Sequence, residues 1–190
     1  MTVKSRAGET IVDTDEAPGK GRPDKIPTLK PAFAKDGTIT AASSSSISDG
    51  AAALVLSRSS TAAAKGLTPI ARIVALAAHA HDPKLFTTAP VGAIKKVLAS
   101  AGWSIDEVEL FEVNEAFACV AMFAMHDLGI PHEKVNVNGG ATALGHPIGA
   151  SGSRIIVTLI AALKARGLTK GVASLCIGGG EATALAVELV

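Results

Sequence analysis

Three residues whose side chains suit proton transfer and charge stabilisation follow or end predicted strands: Asn114, His146 and Cys176. His146 lies in a glycine-rich segment, residues 136–153, between a short apolar segment and one with helical periodicity. A helix that begins near residues 149–151 would direct its positive end and its free N–H groups at this turn. A histidine held there suits proton transfer or stabilisation of developing negative charge. A structural turn with a surface histidine is the alternative, because glycine-rich strand-to-helix turns are common in α/β folds.

Cys176 and Asn114 each allow two interpretations. Cys176 precedes three glycines, whose N–H groups could hold an oxyanion, and a nearby imidazolium would lower the thiol pKa. The alternatives are a buried cysteine before a hairpin turn and, for Asn114, a helix cap. The carboxyl ends of parallel strands line the ligand crevice of an α/β sheet. Because Asn114, His146 and Cys176 are each about one strand–helix unit apart, we expect them to converge on one rim.

The apolar pattern predicts alternating strands and helices. Helices are expected over residues 60–65, 88–102 and 114–128 and from about residue 150, with Thr88 as a cap. Residues 1–40, which are rich in proline, are expected to be extended or irregular. This order predicts an α/β fold with a mostly parallel sheet, helices on its faces and an antiparallel closing strand. Strands are expected over residues 52–57, 69–78 (buried), 108–113, 135–137, 171–176 and 182–189.

The composition excludes several classes of partner. Hydrophobic residues make up 48% of the chain, charged residues 18%, and the formal net charge is +1. Nucleic acid and membrane are therefore not expected as partners, whereas association through apolar surface is. Two cysteines and a polar start without a signal core predict a cytoplasmic location. His79 and His81 lack a third ligand and no phosphate-binding glycine motif is present, so neither metal nor nucleotide cofactor is expected.

Five segments resemble signatures of the thiolase family, in the family's order. One such match would be weak evidence, but five in register are specific, and they cover essentially the whole chain. The resemblance is strongest to the acetyl-CoA acetyltransferases within that family. It implies a thiolase-like layered fold with a remnant of the loop domain over residues 1–48 and the C-terminal domain over residues 49–190. The segments are DGAAA at 49–53, NEAFA at 114–118, NVNGG at 136–140, GHPIGASG at 145–152 and CIGGG at 176–180.

Thiolases join or split 3-ketoacyl-CoA by a Claisen reaction, and the resemblance implies a role for each matching residue. Hydrogen-bond donors that face a developing oxyanion are worth a few kcal/mol each. A cysteine that acts as a base should have a pKa tuned toward neutrality. No cofactor is implied, because the CoA thioesters are the substrates. The implied roles are α-proton transfer for Cys176, activation of the nucleophile and oxyanion binding for His146, a bound water for Asn114, a second oxyanion hole for the Gly178 N–H, pocket lining for Ala116 and Phe117, and contact with CoA for Ser45.

The chain also departs from the family pattern. The family's nucleophilic cysteine lies in the N-terminal half, which we expect this chain to lack, and Cys119 does not correspond to it. Ser43 and Ser46 replace the usual Asn and Gly of the serine loop. We therefore expect part of an acetyltransferase that is inactive alone, needs an N-terminal thiolase half and forms a homo-oligomer. The alternatives are a non-catalytic CoA-binding or assembly module and an independent Cys–His hydrolase using Cys176.

Overall fold

The computed structural model describes all residues from Met1 to Val190, which form two compact units, Met1–Lys30 and Pro31–Val190. The first unit contains an antiparallel hairpin rather than the irregular chain expected for residues 1–40. Its side chains are all solvent-exposed or nearly so, which explains why no alternation of apolar and polar residues signalled the strands. The elements are strands β1 (Thr2–Ser5) and β2 (Gly8–Ile11), helix α1 (Glu16–Lys20) and a 3-10 segment, Pro23–Thr28.

The second unit is built around a four-stranded sheet in the order β3-β6-β5-β4. β6 pairs antiparallel with both β3 and β5, whereas β4 and β5 are parallel. The predicted mixed α/β architecture is present, but the sheet is not mostly parallel, because the last strand lies between β3 and β5 and opposes both. The strands are β3 (Ala71–Ala80), β4 (Leu110–Val113), β5 (Lys170–Ile177) and β6 (Glu181–Leu189).

Two predicted strands are absent. Residues 52–57 have no regular structure, and Val55 and Leu56 are exposed. Of residues 135–137, only Val135 forms an isolated parallel bridge, to Phe111, and Asn136 turns the chain with φ of 48°. In place of backbone pairing by a strand, the side-chain amide of Asn136 forms two hydrogen bonds with the backbone of Val113.

Helices cover both faces of the sheet, and two of their predicted starts need correction. α4 begins four residues after Asn114, so Asn114 is not its cap. The Thr88 hydroxyl donates to the Leu85 carbonyl and does not cap α3. The helices are α2 (Ser59–Ala64), α3 (Ala89–Ala101), α4 (Ala118–Leu128), α5 (Ala141–Leu144) and α6 (Ser151–Arg166), with 3-10 segments at Ala41–Ser43, Pro83–Thr88 and His132–Lys134.

The core lies on two sides of the sheet. α3 and α4 pack on one face around Ile94, Val97 and Phe111, and α6 packs on the other around Leu159 and Leu163. β3 is an edge strand and is not buried as expected, because α6 covers the other three strands but not this one. Leu76 of β3 is consequently 73% exposed.

None of the helices is both long and apolar enough to cross a membrane.

Candidate active site

His146 is held on three sides by the segments around it. Its backbone N–H donates to the Ser46 carbonyl at 2.8 Å. Its ring Nδ1 lies 2.6 Å from the Ser151 hydroxyl, at the first turn of α6. Its ring Nε2 lies 3.3 Å from Asn114 Nδ2, which directly follows β4. The predicted meeting of Asn114 and His146 is therefore present in the structure.

The hydrogen bonds determine where neutral His146 carries its proton. The Ser151 hydroxyl donates to the Pro147 carbonyl at 3.0 Å, so its oxygen is free to accept from the Nδ1–H of His146. Nε2 then has a lone pair and accepts from the Asn114 amide. Burial and, secondarily, the positive charge of Arg154 lower the pKa of His146, which favours this neutral form. The imidazole can thus act as a base through Nε2.

Asn114 is buried and anchored to the neighbouring strand. Its backbone N–H donates to the Ser174 carbonyl on β5 at 2.9 Å, and its side chain is only 1% exposed. Its Oδ1 accepts from Arg154 of α6 at 3.3 Å. Because a guanidinium can only donate, Oδ1 faces Arg154 and Nδ2 faces His146.

Cys176 lies at the same end of the sheet but not in this hydrogen-bonded group. It is two residues beyond Ser174 on β5, and its side chain packs against the core on the α3–α4 face. No hydrogen bond joins its thiol to Asn114 or His146. Burial raises the pKa of the Cys176 thiol to about 11, and the neighbouring Cys119 contributes to this rise. The direction is opposite to the expected shift toward neutrality, because burial opposes a thiolate.

The serine loop, which we define as residues 43–48, docks on both segments that carry the site. Ser45 donates to the Ala116 carbonyl through its N–H at 3.2 Å and its hydroxyl at 3.0 Å. Ile47 bridges to His146, on the other side of the loop. Gly145 has φ of 91°, and a Cβ there would overlap the Ser48 hydroxyl, so glycine is required for this close approach. The loop therefore ties residues 114–117 to His146.

A second network supports the turn before His146. Glu115 accepts from Asn136 Nδ2 at 2.9 Å and from the Thr142 N–H at 3.0 Å. The Glu115 carboxylate occupies the space that a Cβ on Gly140 would fill. The segment after β4 and the glycine-rich segment are thus locked to each other by a partly buried carboxylate and a glycine.

Comparison with known families identifies the family of this chain. The model of the thiolase C-terminal domain matches residues 67–189, and the model of the thiolase N-terminal domain matches residues 1–60. The chain belongs to the thiolase family. It is 50% identical over 189 residues to the acetyl-CoA acetyltransferase of Rhizobium meliloti (strain 1021), which covers 99% of this chain and 48% of that protein. The chain thus spans about half the length of the curated relatives it matches.

Solved thiolase structures have the same fold. The acetyl-CoA acetyltransferase of Bacillus anthracis superposes with a TM-score of 0.91 at 46% identity, over 100% of this chain and 48% of that one. A thiolase of Ascaris suum in complex with coenzyme A gives 0.84 at 39% identity, over 94% and 47% of the two chains. The predicted thiolase-like layered fold is therefore confirmed.

The remaining predicted thiolase residues lie close to this rim, and their roles stay predictions. Ala116 is half-buried and bound to the serine loop, while the Phe117 ring meets the Phe86 and Phe33 rings edge to face. Gly178 lies in the exposed turn between β5 and β6, with open space around it. His79 and His81 stack edge to face, and no group of three metal-binding side chains occurs in the structure.

Four polar residues of this candidate site were not singled out from the sequence. Ser151, at the buried start of its helix, was quoted only as part of the motif at 145–152, and Arg154 lies in the same predicted helix without having been named. Glu115 and Asn136 were quoted as parts of motifs and given no structural role. Glu112 was missed as well; its buried carboxylate lies 3.5 Å from the Arg154 guanidinium. A charged residue within an apolar segment was the sequence signal that could have identified it.

Proposed function

We propose that this chain is the C-terminal part of an acetyl-CoA C-acetyltransferase, which carries out Claisen condensation and thiolysis between acetyl-CoA and a 3-ketoacyl-CoA. The carrying observation is His146, whose Nε2 faces the Asn114 amide while its Nδ1 is held by Ser151. The names of its relatives, and the coenzyme A bound by the Ascaris suum thiolase, support the substrate class.

In the proposed reaction His146 takes a proton at Nε2 from an attacking thiol. The resulting imidazolium then donates from Nε2 to the oxygen of the acyl thioester, next to the Asn114 amide. Fixed donors of this kind are worth about 3–4 kcal/mol where an oxyanion develops. They need no reorganisation, because Asn114 and His146 are already held by the backbone and by α6.

Cys176 is proposed as the group that exchanges the α-proton of acetyl-CoA. With its pKa raised to about 11, the thiol is protonated at neutral pH and is suited to return a proton to the enolate in thiolysis. In the direction of condensation it must lose that proton, which requires a charge or donor near the sulfur. The Gly178 N–H is the proposed donor for the second thioester oxygen, and Ser45, Ala116 and Phe117 are proposed to contact the CoA and acyl portions.

The proposed partner is an N-terminal thiolase half that carries the nucleophilic cysteine. The many exposed apolar side chains support this, among them Leu76, Met122 and Ile148. Assembly into a homo-oligomer and a cytoplasmic location are part of the same proposal.

Reconstitution tests this proposal. The chain is mixed with the separately expressed N-terminal half of the Bacillus anthracis relative, and thiolysis of acetoacetyl-CoA is followed. We expect no turnover by the chain alone, turnover by the complex and none with His146→Ala. His126→Ala, an exposed histidine of α4, is the control and should retain activity. Turnover by the isolated chain would contradict the need for a partner. A complex that forms but is inactive would contradict the catalytic assignment.

A non-catalytic CoA-binding or assembly module is the second candidate. It is favoured by the raised pKa of Cys176 and by the absence of any hydrogen bond between its thiol and His146. Titration calorimetry of the isolated chain with CoA separates the two candidates. Tight binding without an N-terminal half, together with an inactive complex, supports the module, whereas binding only in an active complex supports the acetyltransferase.

A further inference from the structure

Arg154 contacts both Asn114 and Glu112, and neither the family motifs nor the proposed reaction explains these two contacts. It lies on α6, one turn after Ser151, with its side chain largely buried. One terminal nitrogen donates to Asn114 Oδ1 at 3.3 Å, and the other lies 3.5 Å from Glu112. A charged side chain is costly to bury unless it is paired, and here the pairing partners are a carboxylate and the site amide.

The two ends of the Asn114 amide are nearly equal in shape but opposite in chemistry. The oxygen accepts hydrogen bonds and the nitrogen donates them. Rotation of the side chain by half a turn would present the oxygen, rather than the nitrogen, to His146. The orientation of this amide therefore decides which form of the imidazole is stabilised.

With Oδ1 turned toward His146, Nε2 would need to carry a proton in order to donate. The neutral imidazole would then hold its proton on the nitrogen that faces the substrate side, and Nδ1 would accept from Ser151. With Nδ2 turned toward His146, Nε2 is an acceptor and the proton stays on Nδ1. Only the second form can remove a proton through Nε2.

We propose that Arg154 is a positioning residue that sets the tautomer of His146, by holding Asn114 Oδ1 so that Nδ2 faces the ring. A donor-only guanidinium is repelled by the amide nitrogen, so it disfavours the flipped amide. Glu112 in turn holds the guanidinium, and its buried carboxylate makes no other polar contact than this pair. The catalytic meaning of this role rests on the proposed function, but the tautomer itself does not.

Nitrogen NMR of the 190-residue chain labelled in histidine measures the tautomer directly, at a pH well above that at which histidine titrates. Wild-type His146 should carry its proton on Nδ1. Arg154→Met removes the donor and should lower the ratio of the Nδ1–H to the Nε2–H form by about two- to tenfold, the usual range for one net hydrogen bond. Arg154→Lys retains a donor-only group and should retain the ratio.

Two further variants keep the test decisive. Arg154→Met leaves Glu112 buried without its partner, so Glu112→Gln with Arg154→Met removes both charges and should show the same shift. Arg166→Met changes an arginine on the same helix that contacts Asn138 and not Asn114, and it should leave the ratio unchanged. Near-ultraviolet circular dichroism establishes that each variant is folded.

The proposal is overturned if wild-type His146 carries its proton on Nε2, if the double variant keeps the wild-type ratio, or if the lysine variant shifts as far as methionine. These results are independent of turnover by the reconstituted enzyme. If the variants shift the tautomer ratio but the reconstituted complex is inactive, the positioning role is retained and the proposed function is removed. If the complex is active but the variants keep the wild-type ratio, the proposed function is retained and the positioning role is removed.

Discussion

At the scale of single residues, the site is one directed series of hydrogen bonds. It begins at a group that can only donate, Arg154, and passes through Asn114 and His146 to Ser151 and the Pro147 carbonyl. Each member has the polarity that its neighbour requires, so no buried donor faces another donor. Such networks favour one arrangement of the side chains over its alternatives.

Ser151→Ala should destabilise the chain. The substitution removes the acceptor of His146 Nδ1–H in a position that is fully buried, and an unpaired buried donor costs about 1–3 kcal/mol. Urea denaturation measures the loss as a lower free energy of unfolding. Ser153→Ala, two residues further along α6 and without a side-chain hydrogen bond, is the matched control. Equal effects of the two substitutions would contradict the role given to Ser151.

Glu112 should make stability depend on pH. Burial raises the pKa of Glu112 from 4.5 to about 7, with Glu115 adding to the shift and Arg154 opposing it. The folded state therefore holds this proton more tightly than the unfolded state, and stability falls as pH rises from about 4.5 to about 7. The full loss is about 3 kcal/mol at 1.36 kcal/mol per pKa unit.

Glu112→Gln removes this titration and isolates it from all others. The difference in unfolding free energy between the wild type and the variant, measured by urea denaturation at several pH values, should change across that window and be constant above it. A difference that does not vary with pH would show that the Glu112 pKa is not raised.

At the scale of elements, irregular segments rather than helices or strands position the site. The segment after β4, residues 114–117, is not helical, and the serine loop bonds to Ala116 and bridges to Phe117 immediately before α4 begins. The Asn136 side chain bonds to the backbone of Val113, where a neighbouring strand would otherwise pair. These contacts join residues far apart in sequence, so helical and strand periodicity does not reveal them.

Gly140→Ala should destabilise the chain by about 1–3 kcal/mol, as overpacking usually does. Its Cβ would collide with the Glu115 carboxylate, which is held by Asn136 and Thr142. Gly149→Ala is the control, because a Cβ there meets no atom within 4 Å. Thermal unfolding of both variants measures the difference. A Gly140→Ala protein as stable as the Gly149→Ala protein would show that the carboxylate moves aside without cost.

The sequence predicted best those helices and strands whose pattern of apolar residues is clear. α3, with its apolar stripe and closing glycine, was predicted within a residue, as were β5, β6 and the start of α6. The meeting of Asn114 and His146 was predicted from their positions after strands, although the strand expected before His146 is absent. The environment of Cys176 did not, because its burial under α3 and α4 depends on helices that are distant in sequence.

At the scale of the whole molecule, apolar side chains are left uncovered in two places. These are the face of β3 that carries Leu76 and the exposed side of α4 with Met122 and Phe123, and both would be stabilised by contact with another protein surface. The high apolar content noted in the sequence is thus divided between a packed core and these exposed side chains. Composition alone shows the excess but not where it lies.

The isolated chain should self-associate, and an N-terminal thiolase half should replace that self-association. Sedimentation velocity should show concentration-dependent oligomers for the chain alone, and a defined complex after the N-terminal half is added. Leu76→Lys, on the open face of β3, should reduce self-association without unfolding the chain, since the side chain is mostly exposed. Lys65→Ala, another exposed position, is the control. A monomer at all concentrations would contradict this prediction.

The position of β6 determines when the sheet can form. This strand is the last in the chain, yet it lies between β3 and β5, and its partner β3 is separated from it by more than half of the sequence. During synthesis β3 therefore has no strand to pair with until β6 has been made. Chaperones that bind exposed extended segments would meet β3 in the interval before β6 has been made.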